Sequence, residues 1–301
     1  MGGRWRLLRK PSQVFGLLIV NLYLSVLFRK KLYTGPLKGI CVPFLYCHSC
    51  PTTTFACPIG TLQHYSAIHQ IPFFLLGHLM ILGLLVGRMA CGWLCPVGLL
   101  QELIGRIKSR TVEIPRFFTA LPYFNLMVLA VLLPFLTTEH WFSKLCPVGT
   151  LVAGIPWVVW NPVDPQTGDP TIVPGSVGIL FLVKIAILVG FLVLFVVAKR
   201  PFCRYACPLG VFWSFFNKLS LLRLEVSPEC TKCGACKNSC PAGLLVYEDP
   251  NSRHCLRCLE CTKCKHVGVV CSLTPNNEGV GMALEGAGGP TSSSSQRGET
   301  V

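Results

Sequence analysis

The chain has 301 residues, of which 51% are hydrophobic and only 13% are charged, and its formal net charge is +14. That apolar content exceeds what one soluble core would bury, so the composition excludes an ordinary soluble domain and indicates a membrane protein. The positive charge does not indicate nucleic-acid binding, because the basic residues flank apolar runs and cluster thiolates would cancel part of the charge. We therefore expect lipid contact and no nucleic-acid partner.

Four apolar segments predict about four transmembrane helices, since a span needs about 20 apolar residues. They cover residues 14–28, 71–86, 117–136 and 176–198. Residues 151–160 are predicted to lie at the membrane interface, and residues 211–222 form an amphipathic stretch. From residue 276 the chain has low complexity, and we expect this tail to be disordered.

The distribution of lysine and arginine predicts the orientation. With the N-terminus inside, twelve basic residues flank the inner ends of the four segments and five lie in the outer loops. The first apolar run lacks a small-residue cleavage site and leads into the basic residues 29–31, so we expect no cleavable signal peptide. The prediction is a multi-pass protein of the bacterial cytoplasmic membrane with both termini in the cytoplasm, although the cluster at 29–31 then lies outside.

The pattern C-P-[IVL]-G occurs four times, which indicates an internal repeat. The four motifs begin at Cys57, Cys95, Cys146 and Cys207. Two of them are extended to C-x3-C-P by Cys91 and Cys203. Apolar segments alternate with the motifs, so we predict a duplicated two-helix unit. It would place Cys57 and Cys146 on the outer side and the two extended motifs together on the inner side.

The thiols of the membrane part have two interpretations that spacing alone does not separate. Four thiolates at the inner face would bind a further cluster or form a redox pair. Alternatively, the motif ends a helix and its cysteines are small buried residues or reducible disulfides. The loop with Cys41, Cys47, Cys50 and Cys57 could likewise form disulfides on an oxidising face, but the prolines after Cys50 and Cys57 favour redox or metal use.

Two ionisable residues interrupt apolar segments that are equivalent helices of the repeat, His78 in the second and Lys184 in the fourth. A lysine at the bilayer centre costs about 2.5–3.5 kcal/mol on insertion scales, so it usually faces a cavity or a partner. The functional prediction is a quinone or proton site. The alternative, a snorkelling lysine and a histidine bonded to a nearby carbonyl, is favoured for each residue alone.

The C-terminal part carries cysteines at the spacing of bacterial ferredoxins, C-x2-C-x2-C-x3-C-P followed by C-x2-C-x2-C. They are Cys230, Cys233, Cys236, Cys240, Cys255, Cys258 and Cys261. In such runs three thiolates hold one [4Fe-4S] cluster and the fourth reaches its neighbour, so Cys240 is predicted to serve the second cluster. Structural zinc also uses C-x2-C pairs, but it would not need the third cysteine and the x3-C-P that follows.

The second run departs from the pattern after its third cysteine. Cys264 follows two residues later, where the pattern would put a cysteine at Lys265. The last ligand of the first cluster is therefore either Cys264 or Cys271, and we favour Cys264. Because most of the thiols fall into metal-like motifs, we also expect a reducing compartment for them.

The combination resembles the NapH, MauN and NosR-like membrane ferredoxins, a family of 4Fe-4S binding proteins. The resemblance rests on CGWLCPVG at 91–98, FCRYACPLG at 202–210 and the run at 230–241, and it covers about residues 12–264. The loop at 41–60 and Cys146 suggest an unassigned branch. The resemblance implies an inner-membrane protein that passes electrons between a quinol and a partner oxidoreductase through two [4Fe-4S] clusters. The cysteines of the membrane part could bind a further iron-sulfur cluster.

The predicted fold is an α-helical membrane domain (1–225), a bacterial-type 2[4Fe-4S] ferredoxin-like α+β module (226–273) and a tail (274–301). We predict an electron-transfer component rather than a stand-alone catalyst, because no Ser/His/Asp set, carboxylate pair, phosphate loop or nucleotide fingerprint is present. The alternatives are a maturation or regulatory factor for a metalloenzyme, and a redox-inert zinc protein.

Overall fold

The computed structural model describes residues 2–29, 33, 35–107, 115–161 and 178–272, and the predicted tail lies outside them. This part of the chain is mostly helical, as predicted. The helices are α1 (Gly2–Val20), α2 (Val26–Arg29), α3 (Pro58–Ala67), α4 (Phe73–Val86), α5 (Met89–Trp93), α6 (Pro96–Ile104), α7 (Phe117–Thr137), α8 (Trp141–Leu145), α9 (Pro147–Val159), α10 (Ile179–Val197), α11 (Pro201–Tyr205), α12 (Pro208–Phe216) and α13 (Ala235–Ser239). Strands β1 (Leu222–Val226) and β2 (Val267–Cys271) form an antiparallel pair.

Two helices of the described residues, α7 and α10, are long and apolar enough to cross a membrane. They correspond to the third and fourth predicted segments. Helices α4 and α9 are apolar but shorter. Helix α7 contains π-helical turns over Asn125–Leu132, and α9 contains them over Thr150–Gly154.

The first predicted segment, 14–28, is not one helix, because α1 ends at Val20. The side chain of Asn21 explains the break. Its amide nitrogen donates to the Leu17 carbonyl at 2.8 Å, and its amide oxygen accepts a hydrogen bond from the Tyr46 hydroxyl at 2.8 Å. An asparagine that finds partners outside the helical ladder favours a turn over continued helix. The chain then turns before the short α2.

Each C-P-[IVL]-G motif begins a helix, contrary to the interpretation that the motif ends one. Helices α3, α6, α9 and α12 start at the proline, and the preceding cysteine is the N-cap with extended backbone angles. Proline is well suited to the first helical position, because its missing N–H has no intrahelical acceptor there and its φ is already helical. The repeat therefore positions four thiols at four helix N-termini.

The loop at 41–57 lies in the protein core rather than on its surface. Phe44 and Leu45 are 2% and 3% exposed, and Cys41, Cys50 and Cys57 are also buried. These residues belong to the same apolar core as the thiols of the two extended motifs. None of the 18 cysteines, all of which fall within the described residues, forms a disulfide.

The C-terminal module is joined closely to the helical part. The Trp93 indole donates to the Arg257 carbonyl at 3.2 Å, and the Asn217 amide donates to the Cys255 carbonyl at 2.8 Å. Strand β1 begins at Leu222, four residues before the predicted module boundary at 226, since Leu222 pairs with Cys271 of β2. The two parts thus share one interface held by hydrogen bonds from the helical part.

A buried ion network ties α1, α6 and the start of α11 together. The Glu102 carboxylate accepts hydrogen bonds from Arg9 and from Arg200, whose side chains are 4% and 1% exposed. Arg9 also pairs with Glu260 of the module at 3.0 Å. Buried charges require such pairing, because an unpaired charge in an apolar core is costly.

Replacing Glu102 with Gln leaves both guanidinium groups without their shared anion. We expect the free energy of unfolding to fall by about 3–5 kcal/mol, the range for breaking a buried ion pair from one side. Denaturant unfolding in detergent measures the loss. The control is Glu139→Gln, which breaks an ion pair with Lys144 whose partners are 51% and 32% exposed and should cost less than about 1 kcal/mol. Equal losses for the two variants would contradict the network's role.

Replacing Gly92 with Ala should loosen the module interface. A Cβ at Gly92 would lie 2.5 Å from the Leu256 carbonyl oxygen, so backbone must shift. Overpacking of this kind costs about 1–3 kcal/mol. The control is Gly77→Ala in α4, where a Cβ meets nothing within 4 Å and helix propensity favours alanine by about 1 kcal/mol. Melting temperatures should fall for the first variant and not for the second.

Candidate metal centres

The described residues form three small cavities that are each lined by several thiols. The module site is lined by Cys240, Cys255, Cys258 and Cys261. The paired-motif site is lined by Cys91, Cys95, Cys203 and Cys207. The loop site is lined by Cys47, His48, Cys57 and Cys146. The space unfilled by atoms, including any that opens to solvent, is about 390, 300 and 290 Å³ in that order, so the three sites are similar in size.

Two helix N-termini line the paired-motif site. Cys95 caps α6 and Cys207 caps α12, and the backbone N–H groups of Gly98 and Gly210 hydrogen-bond to their thiols. Amide donors and the positive end of a helix both favour the thiolate over the thiol. The motif therefore supplies a partly stabilised thiolate inside an apolar core.

Two buried arginines cross between the repeats at this site. Arg88, before the first motif, donates to the Cys203 carbonyl of the second at 2.7 Å, and Arg200 donates to the Cys91 carbonyl of the first at 3.3 Å. Each guanidinium lies against the glycine of the other motif. A Cβ at Gly210 would lie 2.6 Å from Arg88, and one at Gly98 would lie 3.0 Å from Arg200. The glycines thus leave room for two cations that offset the charge of an anionic cluster.

The thiols of the paired-motif site supply a full ligand set for an iron-sulfur cluster. A cubane cluster takes one thiolate on each of its four iron corners. The four cysteines that line this cavity match that number.

The module site brings together the four thiols that the ferredoxin pattern groups. Cys240 comes from the first run and the other three from the second. Burial raises the pKa of the Cys258 thiol to about 12, and nearby thiols add to that effect. A thiolate in this environment needs a bound cation, which the iron of a cluster would supply.

The remaining module cysteines lie closer to the surface. Cys233 is exposed, and the Ala235 backbone N–H lowers the pKa of its thiol. Cys236 and Cys264 are half-buried and pack against the same small apolar core as Cys261. Cys271 instead lies in β2, opposite Leu222. Cys264 thus shares an apolar core with Cys236 of the first run, and its choice over Cys271 as the fourth ligand stays a prediction.

The paired-motif site adjoins the two other thiol-lined sites. A Cβ at Gly92, beside Cys91, would lie 3.3 Å from the Cα atom of Cys258 in the module site. Leu45 lines both the paired-motif site and the loop site. The paired-motif site is therefore a neighbour of both.

Among the described residues, His78 and Lys184 lie on two helices that do not pack extensively against each other. His78 lies 6.3 Å from the Phe74 ring, between ring centroids, and its Nε2 atom is buried without a hydrogen-bond partner. Lys184 lies in α10, close enough to Cys146 to act electrostatically on that thiol. Helices α4 and α10 are not among the pairs that pack extensively.

Sequence reasoning missed Arg88, Arg200 and His48 as site residues. For the arginines a signal was available, because both extended motifs read R-x2-C-x3-C-P-x-G, with Arg88 and Arg200 three residues before the first cysteine. For His48 no such repeat exists, and only the fold brings it beside the loop-site thiols.

Comparison with known proteins also indicates that the two C-x3-C-P motifs belong to iron-sulfur binding domains. The family described as 4Fe-4S binding domain matches residues 68–115 and 180–226, so each match contains one C-x3-C-P motif. The chain is 30% identical to an uncharacterized protein of Methanocaldococcus jannaschii over 62% of this chain and 73% of that protein. No solved structure matches the chain.

Two further relatives have descriptive names. The chain is 27% identical to the putative electron transport protein YccM of Escherichia coli over 66% of this chain, and it spans 52% of that protein. It is 27% identical to the methylamine utilization ferredoxin-type protein MauN of Methylorubrum extorquens over 51% of this chain, and it spans 47% of that protein. Both C-x3-C-P motifs lie within the matched residues, and their four thiols line one cavity. The chain belongs to the NapH, MauN and NosR-like family of 4Fe-4S ferredoxin-type proteins.

Proposed function

We propose that the chain transfers electrons between a quinol or another membrane redox partner and a partner oxidoreductase. It would hold two [4Fe-4S] clusters in the C-terminal module and a third at the paired-motif site. The observation that carries the proposal is the paired-motif site, where thiols 112 residues apart in sequence, Cys91 and Cys203, line one cavity. Iron-sulfur electron transfer agrees with the names of YccM and MauN.

The residues of the module would divide between two clusters. Cys240, Cys255, Cys258 and Cys261 would hold the buried one, and Cys230, Cys233, Cys236 and Cys264 the one near the surface. A bound [4Fe-4S] cluster takes up and releases single electrons. The protein's own contribution is to keep the inner ligands dry while Cys233 stays exposed for exchange with a soluble partner.

The quinol site is better supported at an apolar cavity than at His78 and Lys184. An apolar cavity lies between the two C-P-V-G helices α6 and α9, and its unfilled space, including any that opens to solvent, is about 890 Å³. Val97, Val148 and Leu192 are among its lining residues. Neither His78 nor Lys184 lines it. Its walls are almost wholly apolar, which suits a prenyl chain. Val97 and Val148 also line the paired-motif and loop sites, so a quinol here would lie next to thiols.

The topology remains the one that the basic residues predict. We propose four membrane-crossing units with both termini and the module in the cytoplasm of a bacterial cell. Helices α7 and α10 would cross the membrane alone, whereas α1 and the shorter α4 would cross only together with the segments that follow or precede them, and α9 would lie at the membrane interface.

Replacing Cys207 with Ser should remove the paired-motif cluster. Iron and acid-labile sulfide per chain, measured on anaerobically purified protein, should each fall by about four, because a [4Fe-4S] cluster needs all its thiolates. The control is Cys271→Ser, which should change neither count. An unchanged iron content in the Cys207 variant, or zinc in place of iron in the unmodified protein, would contradict the proposal.

Filling the apolar cavity should slow quinol-linked reduction of the clusters. Leu192→Trp inserts a large ring into the cavity and should raise the KM for a short-chain quinol by about tenfold, since about 1.4 kcal/mol of binding is lost. The control is Val193→Trp, the next residue of α10, which is 60% exposed and faces away. If His78→Leu rather than Leu192→Trp abolishes the reaction, the mid-segment site is correct and the cavity assignment is wrong.

A further inference from the structure

We propose that the loop site holds a further iron-sulfur cluster, with Cys47, Cys57 and Cys146 as thiolate ligands and His48 as the fourth ligand. This site is separate from the clusters of the proposed function and does not depend on them. The sequence analysis grouped Cys41, Cys47, Cys50 and Cys57, whereas in the structure His48 and Cys146 line the site in place of Cys41 and Cys50.

The loop site repeats the helix architecture of the paired-motif site. Cys57 caps α3 and Cys146 caps α9, with proline at the first helical position in both. The backbone N–H groups of Gly60 and Gly149 hydrogen-bond to these two thiols, as Gly98 and Gly210 do at the paired-motif site. The same thiolate-stabilising device is therefore built twice, once at each site.

The glycines of these motifs leave space for the two remaining ligands. A Cβ at Gly149 would lie 3.6 Å from the Cys47 sulfur and 3.7 Å from the Cβ atom of Cys146, so these two residues converge. A Cβ at Gly60 would overlap Nδ1 of His48. Cys47 and His48 thus approach from the same loop onto two different helix N-termini.

The other two thiols of the loop are turned to other partners. The Cys50 sulfur lies 3.2 Å from the Thr52 hydroxyl and 3.8 Å from the Asn21 amide oxygen. The Cys41 sulfur lies 3.3 Å from the Thr61 hydroxyl. Neither residue lines the loop site. They are buried to the same degree as Cys57, at 5% and 7% exposure against 7%, so burial alone does not distinguish the ligands.

The charge around the site also fits an anionic cluster. The Lys38 ammonium donates to the His48 carbonyl at 2.6 Å and acts electrostatically on Cys47, and Lys184 acts on Cys146. Among the described residues, neither lysine is paired with a carboxylate. Two partly buried cations without an anion are costly, and bound thiolates would compensate them. Lys38 and Lys184 would thus offset the negative charge of a cluster at the loop site, as Arg88 and Arg200 would at the paired-motif site.

His48 adds an imidazole to the three thiols, and a neutral imidazole is a common metal ligand. The donor set of three thiolates and one imidazole is also known for structural zinc. Zinc in place of iron at the loop site would therefore contradict the iron-sulfur assignment.

The test is iron and sulfide content of the full-length protein and its variants, purified anaerobically. Cys57→Ser and Cys146→Ser should each lose about four irons, and the double variant should lose no more than either, because the two residues hold one cluster. The matched controls Cys50→Ser and Cys41→Ser should keep their iron. Loss from a control, or no loss from Cys57→Ser, would overturn the assignment.

The fourth ligand is tested separately. His48→Cys should retain the iron but change the electron paramagnetic resonance of the dithionite-reduced protein, because a thiolate replaces an imidazole. His48→Ala should lose the same irons as Cys57→Ser. Iron retained by His48→Ala with an unchanged spectrum would exclude His48.

The iron content of the unmodified protein tests the loop cluster even if a variant fails to fold. More than about twelve irons per chain supports the loop cluster. If the unmodified count does not exceed twelve while Cys207→Ser still loses four, the loop cluster is absent and the proposed function stands. If Cys207→Ser loses none while Cys57→Ser loses four, the paired-motif cluster fails and the loop cluster stands.

Discussion

The structure depends on placing many thiols inside an apolar core. A buried thiolate is costly unless amide donors, cations or metal compensate its charge, and burial otherwise keeps the group protonated. The C-P-x-G unit meets part of this requirement locally. Its cysteine caps a helix and receives an amide hydrogen bond, its proline starts the helix, and its glycine admits a neighbouring group. Two such helix N-termini that line one cavity make one site.

The cations that serve the sites also hold the fold together. Arg200 contacts the first motif, lies against Gly98 and shares Glu102 with Arg9, while Arg9 reaches Glu260 in the module. Arg88 donates to the carbonyl of Cys203 and to that of Arg253 in the module. A single set of buried charges therefore fixes both the thiol geometry and the docking of the module. Stability and cluster binding should consequently be coupled in this protein.

Much of this arrangement was predictable from sequence. The helical class, the helices α7 and α10, and the grouping of Cys240 with the second cysteine run follow from hydropathy and spacing. The end of α1 did not follow, because it depends on Asn21 finding Tyr46 in a distant loop. The choice of His48 over Cys50 did not follow either. Both residues lie within one short loop, and only the fold turns Cys50 toward Thr52 and His48 toward Gly60.

The paired-motif site and the loop site share one design but differ in charge. The paired-motif site has four thiols and two guanidinium groups, whereas the loop site has three thiols, an imidazole and two ammonium groups. Replacing a thiolate ligand with imidazole removes one negative charge and raises the reduction potential of an iron-sulfur centre, as in Rieske proteins. With both clusters bound, the loop site would accept an electron more readily than the paired-motif site beyond Leu45. Val97 and Val148 each line the apolar cavity and one of these two sites, so an electron from a quinol in that cavity would find its better acceptor at the loop site.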